Sequence, residues 1–195
     1  MIKDLPTLKI IKEEYDKPYR IYHNNDHINR MFFVMDDQDM TLSMEQLWAI
    51  ACHDVCYLPG DPLNEEKSAN YATHYMKHVG FPQENIDIVQ TIILDTKNHI
   101  PTIEESKPII DLDLWDLADT ERYLIGSQLV RDEYIFHLKD EGKYRHGRIE
   151  WLKKFLSRPT IFVSEYATDE MESNARKNLE AELKHLEQLG FPGCT

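Results

Sequence analysis

The stretch Leu47-Trp48-Ala49-Ile50-Ala51-Cys52-His53-Asp54-Val55-Cys56-Tyr57 decides how this chain is read. It predicts a buried helix that ends on an adjacent His-Asp pair. Burying an imidazole beside a carboxylate is costly unless the two are paired or bound to a metal. The dipeptide alone admits two accounts, a hydrogen bond that closes the helix or two ligands of an ion. The surrounding sequence has to choose between them.

Immediately upstream, Ser43-x-x-Gln46 forms a capping box that opens this helix. Leu47, Ile50, Ala51 and Val55 are its predicted inward residues, and Pro59-Gly60 its stop. Further out the helical pattern continues. Leu8, Ile11 and Tyr15 mark a short amphipathic helix, and Tyr19 to Asn25 a polar-aromatic turn. Asn24 or Asn25 caps a second helix with Ile28, Met31, Phe32 and Met35 on its apolar face. Asn64 caps a fourth helix that carries Glu65 and Glu66 in its first turn, where the dipole favours acids. A fifth spans about 85–95. Residues 101–108 read as a loop, and a helical piece begins near Asp111. Long helices follow over 121–139, 143–156 and 169–189, the last highly charged and expected on the surface. Gly-Phe-Pro at 80–82 and again at 190–192 reads as a helix stop. The predicted fold is all-α, a single domain over 1–195 with eight or nine helices.

Composition narrows the functions. At 195 residues, with 42% hydrophobic and 29% charged residues, the chain can bury a substantial core. A net charge of -13 argues against a nucleic-acid polymer or an anionic membrane as partner, because no basic stripe is present. A small phosphorylated substrate stays compatible with that charge if a metal supplies local positive potential. The stretch 1–20 has no secretory apolar core, no segment approaches a membrane span, and three cysteines (Cys52, Cys56, Cys194) fit free thiols of a cytoplasmic protein. Cys52 and Cys56 read as core packing rather than ligands. A homodimer is compatible with all of this.

The residues that carry chemistry are His27, His53, Asp54 and Asp113. His27 falls in the first turn of its helix. Neighbours on a helix are about 100° apart, so His53 and Asp54 can grip one ion from adjacent angles at a helix C-terminus that favours a cation. Asp113 puts a carboxylate into the apolar run Asp111-Leu112-Asp113-Leu114-Trp115. Two imidazoles and two carboxylates suit a divalent metal: Mn, Fe, Co, Ni, Zn or Mg.

His27, His53-Asp54 and Asp113, in that order, resemble the H…HD…D signature of the HD-domain metal-dependent phosphohydrolase superfamily. The flanking segments Tyr22-His23-Asn24-Asn25-Asp26-His27-Ile28, His53-Asp54-Val55-Cys56-Tyr57, Asn64-Glu65-Glu66-Lys67-Ser68-Ala69, Thr96-Lys97-Asn98-His99 and Asp111-Leu112-Asp113-Leu114 are similar to one bacterial branch of predicted HD phosphohydrolases. So are Arg131-Asp132-Glu133-Tyr134, Gly147-Arg148 and Glu172 to Leu179. The resemblance implies an all-α HD fold, one or two divalent ions and hydrolysis of a phosphoester in a small substrate, a nucleotide among the candidates. Other outcomes within the superfamily are a mixed-valent di-iron oxygenase and a degenerate metal- or nucleotide-binding module. Alarmone hydrolases and some nucleotidases of the superfamily keep a glutamate just after the HD pair. Here Val55-Cys56-Tyr57-Leu58 stands in its place, so the expected proton-handling groups are Glu65, Glu66 or His23, beside Asp54.

Lys97, His99, Arg131, Tyr134 and Arg148 are the expected substrate contacts, since Arg forks suit phosphate oxygens. The alternatives are helix-end cations for Lys97 and His99, and surface ion pairs for the arginines. His74 and His78 stand four apart on one helix without an acid partner and read as surface residues, as do His137, His146 and His185.

Overall fold

The computed structural model describes residues 6–188, with side chains from Ile11 onward. Leu8's side chain, Cys194 and the second Gly-Phe-Pro lie outside the described residues. Nine α-helices are present among them: α1 (Pro6–Tyr15), α2 (Asn25–Asp37), α3 (Met44–Cys52), α4 (Asn64–His78), α5 (Gln83–Thr96), α6 (Ser106–Leu114), α7 (Thr120–Leu138), α8 (Glu141–Leu156) and α9 (Asp169–Gln188). A 3-10 turn, Trp115–Ala118, joins α6 to α7. The fold is all-α, as the sequence predicts. No helix among the described residues is long and apolar enough to cross a membrane.

Helix α3 sits at the centre of the first half, packed against α2, α4, α5 and α6. Its Ser43–Gln46 capping box forms as predicted. Trp48, Ala49, Ile50, Ala51 and Cys52 are buried, while Leu47 is only half-buried, so Trp48 takes the inward place expected of Leu47. Each large apolar side chain sealed here stabilises the fold by about 1.5–3 kcal/mol. Burial pushes the Cys52 thiol up to about 12, in keeping with a packing role.

Two boundaries differ from the sequence expectation. Asn64 does not cap α4; it is the first helical residue, and its side chain bonds the backbone N–H and C=O of Leu58, both at 3.0 Å. Helix α6 begins at Ser106, five residues before the expected Asp111. Its start is fixed by Asp95, buried at the end of α5, which accepts from Thr102 N–H (2.7 Å) and Ser106 Oγ–H (2.6 Å). Pro108 lies in that first turn, where its missing N–H costs nothing. Gly80 ends α4 at φ 83°, the left-handed geometry glycine adopts without strain.

The core forms two clusters. One joins α1 to α5 with Ile109 and Leu112 of α6. The other joins Ile110 and Leu114 of the same helix to Tyr123, Leu152, Phe155, Ile161, Phe162, Ala175 and Leu179. Helix α9 packs on α8, α7 and the 3-10 turn through Ala175, Asn178 and Leu179, and exposes the rest of its charged surface.

Candidate metal centre and cavity

Each candidate ligand is placed by a local device. Asn24 caps α2, its side-chain oxygen accepting from the N–H groups of Asp26 and His27, which seats His27 in the first turn. His53 is the C-cap of α3, and its Nδ1–H donates to Ile50 C=O at 3.0 Å. In the neutral ring that bond leaves the Nε2 lone pair free, the arrangement that orients a metal-ligating histidine. Asp54 donates its N–H to the Tyr15 hydroxyl at 3.2 Å. Asp113 comes from the last turn of α6.

The three segments converge. His27 Nε2 lies 3.3 Å from His53 Nε2 and 3.1 Å from Asp113 Oδ1. His53 Nε2 lies 3.7 Å from Asp113 Oδ1 and 3.3 Å from Asp54 Oδ2. His27, His53 and Asp113 offer donor atoms that all fall within 4.8 Å of one another, a spacing that could hold a metal ion. Asp54 meets this trio through His53 and stands outside the tightest set. Two imidazole nitrogens and a carboxylate oxygen fit a borderline divalent metal.

The buried groups set one another's charge. Burial opposes ionisation of Asp113, yet hydrogen bonds from His27, His53 and His99 hold its carboxyl well below the usual range. Burial likewise works against a charged His53, but the Asp54 and Asp113 carboxylates hold the ring well above its ordinary value. Asp54 is lowered despite its own burial, chiefly by His53.

His53, Asp54 and Asp113 floor a cavity of about 580 Å³, and His27 meets them from outside that lining. Its lining brings together His23, His53, Asp54, Glu65, Lys97, His99, Asp113, Tyr134 and Arg148 from the sequence-predicted set, beside Tyr57, Tyr123, Tyr144 and Trp151. His99 Nε2 lies 3.0 Å from Asp113 Oδ2 and so supports a candidate ligand directly. Its backbone is left-handed, at φ 51°, uncommon for a non-glycine residue and a mark of local strain. Lys97 pairs with Glu66 and reaches the Pro62 carbonyl at 2.5 Å. Arg148 forks onto Glu182, at 2.9 and 3.0 Å. Glu65 faces the cavity, and burial raises its carboxyl.

Two expected site residues stand elsewhere. Glu66 is occupied by Lys97 and is not among the cavity's lining. Arg131 pairs with Glu141 and lines a second cavity of about 720 Å³ between α7, α8 and α9. That surface pair is its alternative role from sequence, and it is the one observed. His74, His78, His146 and His185 are exposed as expected, whereas His137 is half-buried, 3.3 Å from the Tyr19 carbonyl.

Glu133 was not singled out by the sequence. It is buried on α7 and accepts from the N–H groups of Ile21, Tyr22 and His23, at 2.7, 2.9 and 3.1 Å. Its other oxygen meets His23 Nδ1 at 2.6 Å, and the His23 ring stacks on Tyr57 at 3.9 Å. Burial disfavours a charged His23, but the Glu133 hydrogen bond and the Asp54 carboxylate raise its pKa. Arg20 is the second omission. Both act across long sequence separations, and their local signal is an ordinary charged residue in a polar stretch.

No family model, curated protein or solved structure matches the chain. The functional conclusion therefore rests on the site itself.

Proposed function

We propose that the chain is a metal-dependent phosphohydrolase acting on a small phosphoester, with a nucleotide among the candidate substrates. The observation that carries this is the convergence of His27, His53 and Asp113 on one point, with His53 and Asp113 lining the cavity. Asp54 adds a carboxylate at the edge of that set. A divalent ion held there would lower the pKa of a water and offset charge on phosphoryl oxygens.

The chain's own residues supply the rest. Nδ1 of His23 is committed to Glu133, so Nε2 is the nitrogen available to a substrate or a water. That makes His23 the best-supported proton-handling group of those predicted, and it answers the missing acid after His53-Asp54. Glu65 is a second carboxylate on the same cavity. Arg148 and Lys97 line the same cavity and would turn to anionic oxygens by giving up part of their pairing with Glu182 and Glu66, while Tyr57, Tyr134 and Trp151 give the leaving group an aromatic wall. The HD-superfamily resemblance of the ordered ligands points to the same reaction class.

The test is metal analysis of protein purified without chelator, followed by a phosphoester panel assayed in parallel with Mn, Mg, Co and Ni. Turnover that needs the metal and disappears with chelator supports the proposal. Bound metal with no turnover across the panel, or two irons with oxygen consumption, would overturn it.

A further inference from the structure

We propose that Arg20 is the positioning residue of the metal centre, setting the His53–Asp54 turn against the helix that carries His27. This rests on the metal-site proposal above. Arg20 is 6% exposed, and no carboxylate pairs with it among the described residues. Its partners are carbonyls. One terminal nitrogen, Nη1, donates to Asp54 C=O (2.6 Å) and His23 C=O (3.1 Å), and the other, Nη2, to Val55 C=O (2.7 Å). The guanidinium also stands 5.0 Å over the Tyr15 ring.

The other end of the linkage reaches the second histidine. Asn24 Nδ2 donates to the carbonyls of Arg20 and Ile21, at 3.4 and 3.0 Å. Asn24 Oδ1 in turn accepts the N–H of His27. A continuous path of hydrogen bonds therefore runs from the start of α2, through Arg20, to the backbone of the ligand turn after α3. Glu133 of α7 takes three successive N–H groups of the same loop and holds it as well. Three carbonyls on one planar fork are a match that an ammonium on a flexible stem does not reproduce.

The competing account is that Arg20 merely satisfies orphan carbonyls at the end of α3. The two differ in sign. A buried cation close to the ligand turn repels a metal ion, so removing only its charge should tighten metal binding. Removing a positioning group should weaken it, whether or not the charge is kept.

The experiment titrates Co(II) into the metal-free wild type, Arg20→Lys and Arg20→Met. Calorimetry reads affinity, the visible d–d absorption reads ligand geometry, and Tm reads the metal-free fold. The expected result is a loss of about 10–100-fold in affinity for both variants, the range typical of outer partners of metal ligands, with an altered cobalt spectrum. Variants that bind within about twofold of wild type and lose only Tm, or a tighter-binding Met variant, overturn the inference. If circular dichroism shows the Met variant unfolded, the Lys variant decides. A wild type that takes up no cobalt overturns the metal-site proposal and this inference together; binding by wild type with unaffected variants sinks the inference alone.

Discussion

The floor of the cavity and its wall are built differently. At the floor, His53, Asp54 and Asp113, with His27 beside them, arrive from two helices and the turn after α3, and neighbouring donor atoms meet at 3–4 Å. His27, His53 and Asp54 are each seated by a hydrogen bond to or from the backbone, with the Asn24 cap, the Ile50 carbonyl and the Tyr15 hydroxyl respectively. On the wall, α7 and α8 contribute long side chains, with the Arg148–Glu182 pair behind Tyr123 and Tyr144. A site that must hold one ion needs its geometry fixed by short contacts. A surface that meets the body of a substrate can rely on rings and one ion pair.

That contrast is testable, and the largest effect belongs on the floor. Asp113→Ala removes the carboxylate whose Oδ1 meets His27 and His53 and whose Oδ2 meets His99. Metal affinity should fall by more than about 100-fold, beyond the usual cost of an outer partner, and turnover should be lost with it. Calorimetry and metal content check this; Asp54→Ala should follow the same direction. Retained metal and activity in both variants would break the assignment of the floor.

On the wall, Arg148→Met leaves the mostly buried Glu182 without its cation, although the Tyr123 hydroxyl still donates to it. A loss of about 3 kcal/mol in denaturant unfolding is expected, with KM raised and metal content unchanged. Metal loss in this variant would erase the distinction between floor and wall.

Between the two regions stands Glu133→Gln, expected to cost about 2 kcal/mol for a charge-assisted hydrogen bond. Burial pushes Glu133 up, yet the His23 bond holds its carboxyl below the ordinary value. Its stabilisation is therefore present above the unfolded carboxylate value and lost as pH falls through the folded one. His23 is raised, so its share is present below about 6.5 and lost as pH rises through its folded value. The Tm deficit of the variant should peak between about pH 4.3 and 6.5 and narrow at alkaline pH. A deficit independent of pH would show that the pair is not ionic. The smallest effect is Arg131→Ala, whose exposed pairing with Glu141 predicts unchanged kcat and KM.

Legibility followed the range of the interaction. The capping box at Ser43–Gln46, the Asn24 cap and the stop at Gly80 depend on residues a few places apart, and all were readable. The order His27, His53-Asp54, Asp113 was legible through its resemblance to the HD signature, and His53-Asp54 and Asp113 also through the cost of placing them in apolar surroundings. Glu133 and Arg20 were not readable, since each acts on backbone groups: Glu133 reaches 21–23 across the fold, and Arg20 reaches the turn after α3. Asp111 and Asp113 stand in one apolar run, and it was the resemblance to the HD signature that singled out Asp113. The fold gives Asp111 a satisfied structural role: it accepts from Val163 N–H, Ser164 N–H and Ser164 Oγ–H, at 2.8, 2.8 and 2.6 Å.

That division of roles bears on how α6 can move. Residues two apart on a helix point about 200° from each other, so one face of α6 is keyed to the 163–164 segment and the other to the histidines. Rolling the helix about its axis cannot improve one engagement without breaking the other. Helix α6 is thus a shaft keyed on opposite sides, its rotation fixed between the two core clusters. An inserted residue between Asp111 and Asp113 would turn one key by about 100° relative to the other and disengage the shaft.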